Sequence, residues 1–340
     1  MTIQFEITHG EGVFLYPEDA WDVQQKLGEI LDKRDMGQLS AKASVALLDQ
    51  LISEAPWFVD GHAHLGFTLL EDGKTKKALE ALLKGIAIAE KALPEGYTGT
   101  AMWGFLENRP YLRALHGAAF CYLQLRQRKK AVPFLEKILQ YNPDDNQGVR
   151  YMLGSEYLRT GETKKALEIF KTEAEHYPPY HYERGLLHLM DSNWVEAATS
   201  LRRGGVANGY IAEMLLGNPA PRPRPIWHSD NFAEADYAGE YVSRHGDLWE
   251  RNPFAIKFLN WLYHHSDVLT ERAKIVACQE ELLWERDVEK RKALIERENE
   301  ATAKIDDTLS KCIIKRREDR NGRTIFPWDY KPFSPMQYFS

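Results

Sequence analysis

The chain has 340 residues, a net charge of -6, 44% hydrophobic and 28% charged residues. That balance fits a globular protein with a sizeable core, and it lacks the strongly basic face that drives binding to a phosphate backbone, which makes nucleic acid an unlikely partner. No run approaches the about 18 uninterrupted apolar residues of a membrane span.

The opening MTIQFEITHGEG has neither the basic start nor the apolar stretch of a secretory signal, so the expected location is cytoplasmic. Cys121, Cys278 and Cys312 lie far apart without a C-x-x-C pair, as reduced thiols would. Pro17 with Glu18 and Asp19 reads as a helix start, and Leu48, Leu51 and Pro56 sit at the offsets of its partner. Residues 1–56 are expected to be an N-terminal segment with a degenerate capping helix pair.

Residues 57–217 repeat. In GVRYMLGSEYLRTGETKKALEIFKTEAEHYP, Leu153, Gly154, Tyr157, Ala166, Phe170 and Pro178 hold the offsets of a helix pair of about 34 residues. Gly or Ala lets two helices cross closely, and Tyr, Leu and Phe fill the space beside the crossing. Equivalent places carry Ala118, Tyr122, Ala131 and Leu135 one period earlier, Gly66, Ala78 and Leu82 before that, and Gly185, Ala197 and Leu201 downstream. This pattern resembles the tetratricopeptide-repeat (TPR) superfamily. The resemblance implies an all-α fold, a TPR-like α-solenoid of antiparallel helix pairs.

The spacing breaks once. Ala131, Ala166 and Ala197 lie 35 and 31 residues apart, but Ala78 and Ala131 are 53 apart, which places an insertion at about 94–111. It carries Trp103, Phe105, Glu107, Asn108 and Arg109, with Arg113 just beyond. Loops on a rigid scaffold often bind, so this segment is a candidate site. WGFLENRPYLRALHG followed by NPDDNQGVRYML is similar to the repeat region of TPR-like proteins related to suppression of tumorigenicity seven, which implies a scaffold more than an activity.

By resemblance to TPR domains, the first helix of each unit lines a concave face. Phe67, Arg113, His116, Phe120, Tyr151 and Tyr182 fall at such places. The Lys and Asn of a carboxylate clamp are missing there, leaving an aromatic and aliphatic groove with one basic spot, suited to an amphipathic helix or an extended peptide. Trp103, Arg109 and Arg150 join this partner-binding set from beside the groove. Two readings cover the polar residues. Asp145 and Glu107 could pair with the arginines to lock the insertion, or two helix N-termini with Arg113 and Arg150 could hold an anion.

Past Gly217 the composition changes. Residues 218–230, NPAPRPRPIWHSD, read as a Pro-rich connector, either stiff and packed or a docking ligand. Residues 231–266 read as a helical extension. Residues 267–320, without Pro or Gly, read as one long C-terminal helix N-capped by Ser266 or Asp267. Leu269, Val276 and Leu283 keep a coiled-coil step, but Arg272, Gln279 and Arg286 spoil the companion places, so a sustained coiled coil is not expected. Residues 321–340 crowd Phe326, Trp328, Phe333 and Phe339 among prolines, an extended aromatic tail expected to dock on its own chain or on a partner. Trp328 and Phe333 complete the partner-binding set.

No cofactor is expected, and no metal. His62 and His64 sit two apart and His264 and His265 are adjacent, spacings that diverge on a helix. H-E-x-x-H, P-loop and G-x-G-x-x-G patterns are absent. The expected function is a non-enzymatic scaffold that binds another protein and could self-associate through its C-terminal helix or tail. Two alternatives stand beside it: an enzyme or anion-binding protein with a polar site near Glu107, Arg109, Arg113 and Arg150, joined by His116 in the enzyme reading, and a nucleic-acid-associated regulator.

Overall fold

The computed structural model describes residues 2–329, which divide into two compact units between Gly161 and Glu162. The division falls inside the expected 57–217 solenoid, at Gly161, whose φ of 86° ends a helix in the left-handed region that glycine tolerates best.

The first unit opens with a feature that helical patterning does not reveal. β1 (Gln4–Thr8) and β2 (Glu11–Leu15) form an antiparallel hairpin with Phe5 opposite Phe14. His9 and Gly10 turn the chain with φ of 52° and 86°, the positive values that a tight hairpin needs. Two helices follow, α1 (Ala20–Asp35) and α2 (Ala41–Glu54), the latter N-capped by Ser40, which accepts from the Ala43 amide.

Five further α-helices complete the unit: α3 (Val59–Glu71), α4 (Thr75–Glu90), α5 (Arg109–Gln124), α6 (Arg128–Tyr141) and α7 (Arg150–Thr160). Each packs on its neighbour, and α3 also packs on α5, so successive first helices lie side by side. Leu82 of α4 shows why the small residues recur. A Cβ on Gly66 would stand 2.4 Å from Leu82 Cγ, and one on Gly117 2.8 Å from Leu82 Cδ2, so a single leucine fills the notch left by two glycines.

The second unit contains α8 (Thr163–Glu173), α9 (Pro179–Met190), α10 (Trp194–Ala207) and α11 (Gly209–Leu215). The notch is repeated here, since a Cβ on Gly185 of α9 would meet Leu201 Cγ of α10 at 2.5 Å. The Pro-rich connector then packs on its own unit: the Trp227 amide donates to the Gln279 carbonyl at 2.9 Å and the Arg224 amide to the Tyr210 hydroxyl at 2.7 Å. α12 (Ala235–Glu250) and α13 (Pro253–Tyr263) make up the helical extension.

The charged segment 267–320 is not one helix. It folds as α14 (Ser266–Trp284), α15 (Val288–Ala303) and α16 (Asp307–Ile313), followed by a short antiparallel pair, β3 (Arg317–Glu318) and β4 (Thr324–Ile325). Side-chain capping explains the breaks without Pro or Gly. Glu285 accepts from the amides of Arg286 and Asp287, Asp287 caps α15 through the Lys290 amide, and Asp306 caps α16 through the Thr308 amide. The reversal lets α15 pack on α14, with Ile275, Cys278 and Leu282 buried on α14 and Leu294 on α15. Arg202, 3% exposed, then ties α10 to α14 by pairing with Glu271 and to the α16 start by donating to the Asp306 carbonyl and Ser310 hydroxyl, both at 2.8 Å.

Candidate functional site

The insertion is built around Asn108. Its Oδ1 accepts from the Phe14 amide at 3.1 Å, and its Nδ2 donates to the carbonyls of Gly12 at 3.0 Å and Met102 at 3.1 Å. Thr100 extends the attachment, donating to the Gly10 carbonyl and accepting from the Gly12 amide. Phe5 stacks edge-on with Tyr97, and Phe14 with Tyr111. The inserted loop therefore holds the N-terminal hairpin of its own chain. A second anchor fixes the other end: Asn142 Oδ1 accepts from the Trp103 amide at 3.1 Å, while the Ala101 amide donates to the Tyr141 carbonyl.

Arg109 and Arg113 diverge from this frame. Arg109 donates from Nε to the Trp103 carbonyl at 3.0 Å and lies over the Trp103 ring at 5.3 Å. Arg113 lies 5.7 Å from the Trp103 centroid and donates to the buried Asp60 at 2.6 Å. His64 Nε2 stands 3.7 Å from the same carboxylate, and burial holds its imidazole below the ordinary range. Asp60 is thus a buried acid serving one guanidinium.

Phe67, Trp103, Arg113 and His116 line a hollow of about 470 Å³. Leu31, Arg34 and Glu71 complete one wall, and Gln147 the other. Arg34 is already paired with Glu71 and donates to Thr68 at 2.8 Å, so neither arginine of the hollow carries uncompensated charge. His116 packs its ring 4.5 Å from Phe120, and burial pushes its imidazole down to about 4, which leaves it neutral at pH 7. Its Nε2 is buried without a hydrogen-bond partner, and so is Gln147 Oε1, although the Gln147 amide nitrogen donates to the Leu112 carbonyl at 3.3 Å.

Of the expected partner-binding residues, Phe67, Trp103, Arg113 and His116 come together in this hollow, with Phe120 half-buried beside it. Arg109 lines a second, larger hollow against the hairpin, which Arg113 also reaches. Arg150 pairs with Asp145 at 3.2 Å within its own turn and lines neither hollow, so this pair does not lock the insertion as expected. Tyr151 is half-buried on α7. Tyr182 is fully buried, with its hydroxyl donating to the Asn208 carbonyl at 2.7 Å, so it packs the core of the second unit and offers no groove surface. Trp328 is 8% exposed and sits among Trp194, Phe258, Trp261 and Phe326, with ring centroids 4.6 to 5.3 Å away, so this part of the tail docks within its own unit. Phe333 lies outside the described residues.

The glutamate, arginine and histidine of the alternative enzyme reading are therefore distributed: Glu107 and Arg109 face the larger hollow, His116 the groove, and Arg150 its own turn. Among the described residues no cluster of three His, Cys, Asp or Glu is placed to hold a metal ion, and no helix is long and apolar enough to cross a membrane. Sequence reading did not single out His64, Arg34, Glu71 or Gln147 for the groove, because charged residues on helical faces look alike until the stacking sets their neighbours.

Residues 112–145 match the tetratricopeptide repeat family model, and this covers α5 and α6. No curated protein matches the chain. Among solved structures, the chain is similar to the crystal structure of MamA at 18% identity, over 50% of this chain and 88% of that one, with a TM-score of 0.39. It is also similar to a tetratricopeptide repeat protein from Parabacteroides merdae at 14% identity, over 83% of this chain and 99% of that one, with a TM-score of 0.44. At these identities and scores the likeness does not extend to function or partners.

Proposed function

We propose that this chain, which carries a tetratricopeptide repeat at residues 112–145, is a non-enzymatic protein-interaction scaffold whose first unit holds an extended segment of a partner polypeptide in the concave hollow. One observation carries the reading: His116 Nε2 and Gln147 Oε1 are both buried and unsatisfied in one hollow that also presents the rings of Phe67 and Trp103. An unmet buried polar group costs about 1–3 kcal/mol, and because these two atoms lie beneath the surface of the hollow, a peptide backbone, which brings both an N–H and a C=O, meets them when the lining side chains move aside. The half-buried rings supply apolar surface for its side chains. With Arg34 and Arg113 already neutralised by Glu71 and Asp60, a terminal carboxylate has no free cation to meet, which favours an internal segment over a chain end.

The test is partner capture from the native cell with the intact chain, compared with Phe67→Ala and His116→Ala. A stoichiometric partner retained by the parent and lost from both variants, with melting temperatures still showing folded protein, supports the scaffold. Retention by both folded variants removes the groove from the account. Turnover of a small molecule that disappears on Arg109→Ala would favour the enzyme instead.

A further inference from the structure

The larger hollow of the first unit, about 1130 Å³, lies on the open face of the N-terminal hairpin. Alternate residues of paired strands share a face, and the register sets Glu6 opposite Val13 and Thr8 opposite Glu11, so Glu6, Thr8, Glu11, Val13 and Leu15 all line it. The other walls come from the start of α1, the start of α3 and the insertion.

Two properties of the lining coincide. Leu15, Trp21, Phe105 and Leu106 are large apolar residues exposed by 40%, 70%, 39% and 64%, and all four converge on this one hollow. Single exposed apolar residues are ordinary on a protein surface, whereas a contiguous group around a concavity marks an interaction site. The charge leans acidic as well. Glu6, Glu11 and Glu107 are exposed and form no ion pair among the described residues. Arg113 is neutralised by Asp60, while Arg109, held by the Trp103 carbonyl and ring, keeps its positive charge, so three carboxylates in the lining face a single unpaired guanidinium among the described residues. The Tyr16 hydroxyl is buried behind the lining, and burial with the nearby Asp60 and Glu107 charges keeps it protonated.

We infer that this hollow docks a basic, apolar segment of another polypeptide, its Lys or Arg head groups meeting Glu6, Glu11 and Glu107 while its apolar side chains cover Trp21, Phe105 and Leu106. Charge complementarity selects the occupant: long basic side chains carry an apolar stem that lies on aromatic rings and a cation that favours both the ring faces and the carboxylates. A hollow of this size accommodates several such side chains at once, which a single free amine does not fill. The site shares Arg113 with the groove proposed above, but its three glutamates and its exposed apolar residues do not line that groove.

The experiment titrates the full chain with a fluorescein-labelled peptide of alternating Lys and Phe, read by fluorescence anisotropy. Glu6→Gln/Glu11→Gln/Glu107→Gln is expected to weaken binding roughly tenfold, as three partly exposed charge pairings are lost. Trp21→Ala should weaken it by about fivefold through lost apolar contact. Glu289→Gln/Glu296→Gln/Glu300→Gln, which removes the same charge from α15, should leave binding unchanged, as should Phe67→Ala in the groove. Equal weakening by the α15 variant, or none by the hairpin variant, would overturn the inference. So would binding of a Glu–Phe peptide as tight as that of the Lys–Phe peptide. Spermine binding as tightly as the peptide and sensitive to the same carboxylates would assign the site to a free amine and defeat the polypeptide reading.

Discussion

Asn108→Ala probes how the insertion is used. The side chain is fully buried and makes three hydrogen bonds, one from the Phe14 amide and one each to the carbonyls of Gly12 and Met102. Net values near 1 kcal/mol per bond, with the stranded groups adding more where water cannot reach, give a loss of about 3 kcal/mol. Because the Phe14 amide points to the insertion rather than to β1, its hydrogen exchange is a local gauge, and roughly a hundredfold acceleration accompanies that loss. Asn108→Asp keeps an acceptor for Phe14 but sets carboxylate oxygens against two carbonyls in a buried site, so it should be at least as damaging. Urea denaturation gives the global figure, and amide exchange by NMR the local one. A loss below about 1 kcal/mol with Phe14 exchange unchanged would refute the claim that the insertion clamps the hairpin.

Gly66→Ala and Gly185→Ala should each cost about 1–3 kcal/mol, because Leu82 and Leu201 occupy the space of the added methyl, while Gly104→Ala, with no neighbour within 4 Å, should be near neutral; thermal melts compare the three. Trp328→Ala should destabilise the second unit by about 3–5 kcal/mol in a denaturant titration, and a change under about 1 kcal/mol would mean that the aromatic cluster adds little. Stability should also fall on acidification. His116 has a folded value of about 4 against the ordinary 6.5, so the unfolded chain binds the proton first, and this contribution is full above pH 6.5 and lost as the pH falls toward 4. Urea midpoints across that window should show a shallower slope for His116→Gln than for the parent.

The repeating helix pairs were legible because their signal is local. Gly66 with Leu82 and Gly185 with Leu201 sit at the same offsets in the chain, and the same leucine-into-notch contact forms at both. The first two helices were legible for a similar reason, since Pro17 precedes α1 and Leu48 and Leu51 fall on the buried face of α2, whereas the Ser40 cap was not read. The hairpin was readable in principle from the alternation of QFEIT and EGVFL around His9 and Gly10, but a helical frame of reading passes over two five-residue strands. The breaks in the charged segment depended on Glu285, Asp287 and Asp306 turning from surface charges into caps, a choice made by the packing of α15 on α14. Site residues were legible only by type. Phe67, Arg113 and His116 met as the helix register required, whereas Tyr182 at an equivalent offset was claimed by the Asn208 carbonyl and the core.

A photoreactive amino acid at position 67, with one at position 284 as the reference, tests the scaffold reading most directly. Phe67 lines the groove, and Trp284 is 77% exposed on the second unit and lines neither hollow. Irradiation in the native cell followed by peptide mapping should join position 67 to one internal, apolar segment of a single partner protein, and His116→Ala should abolish that link. A position 67 that forms no adduct, or the same scattered adducts as position 284, would contradict the account.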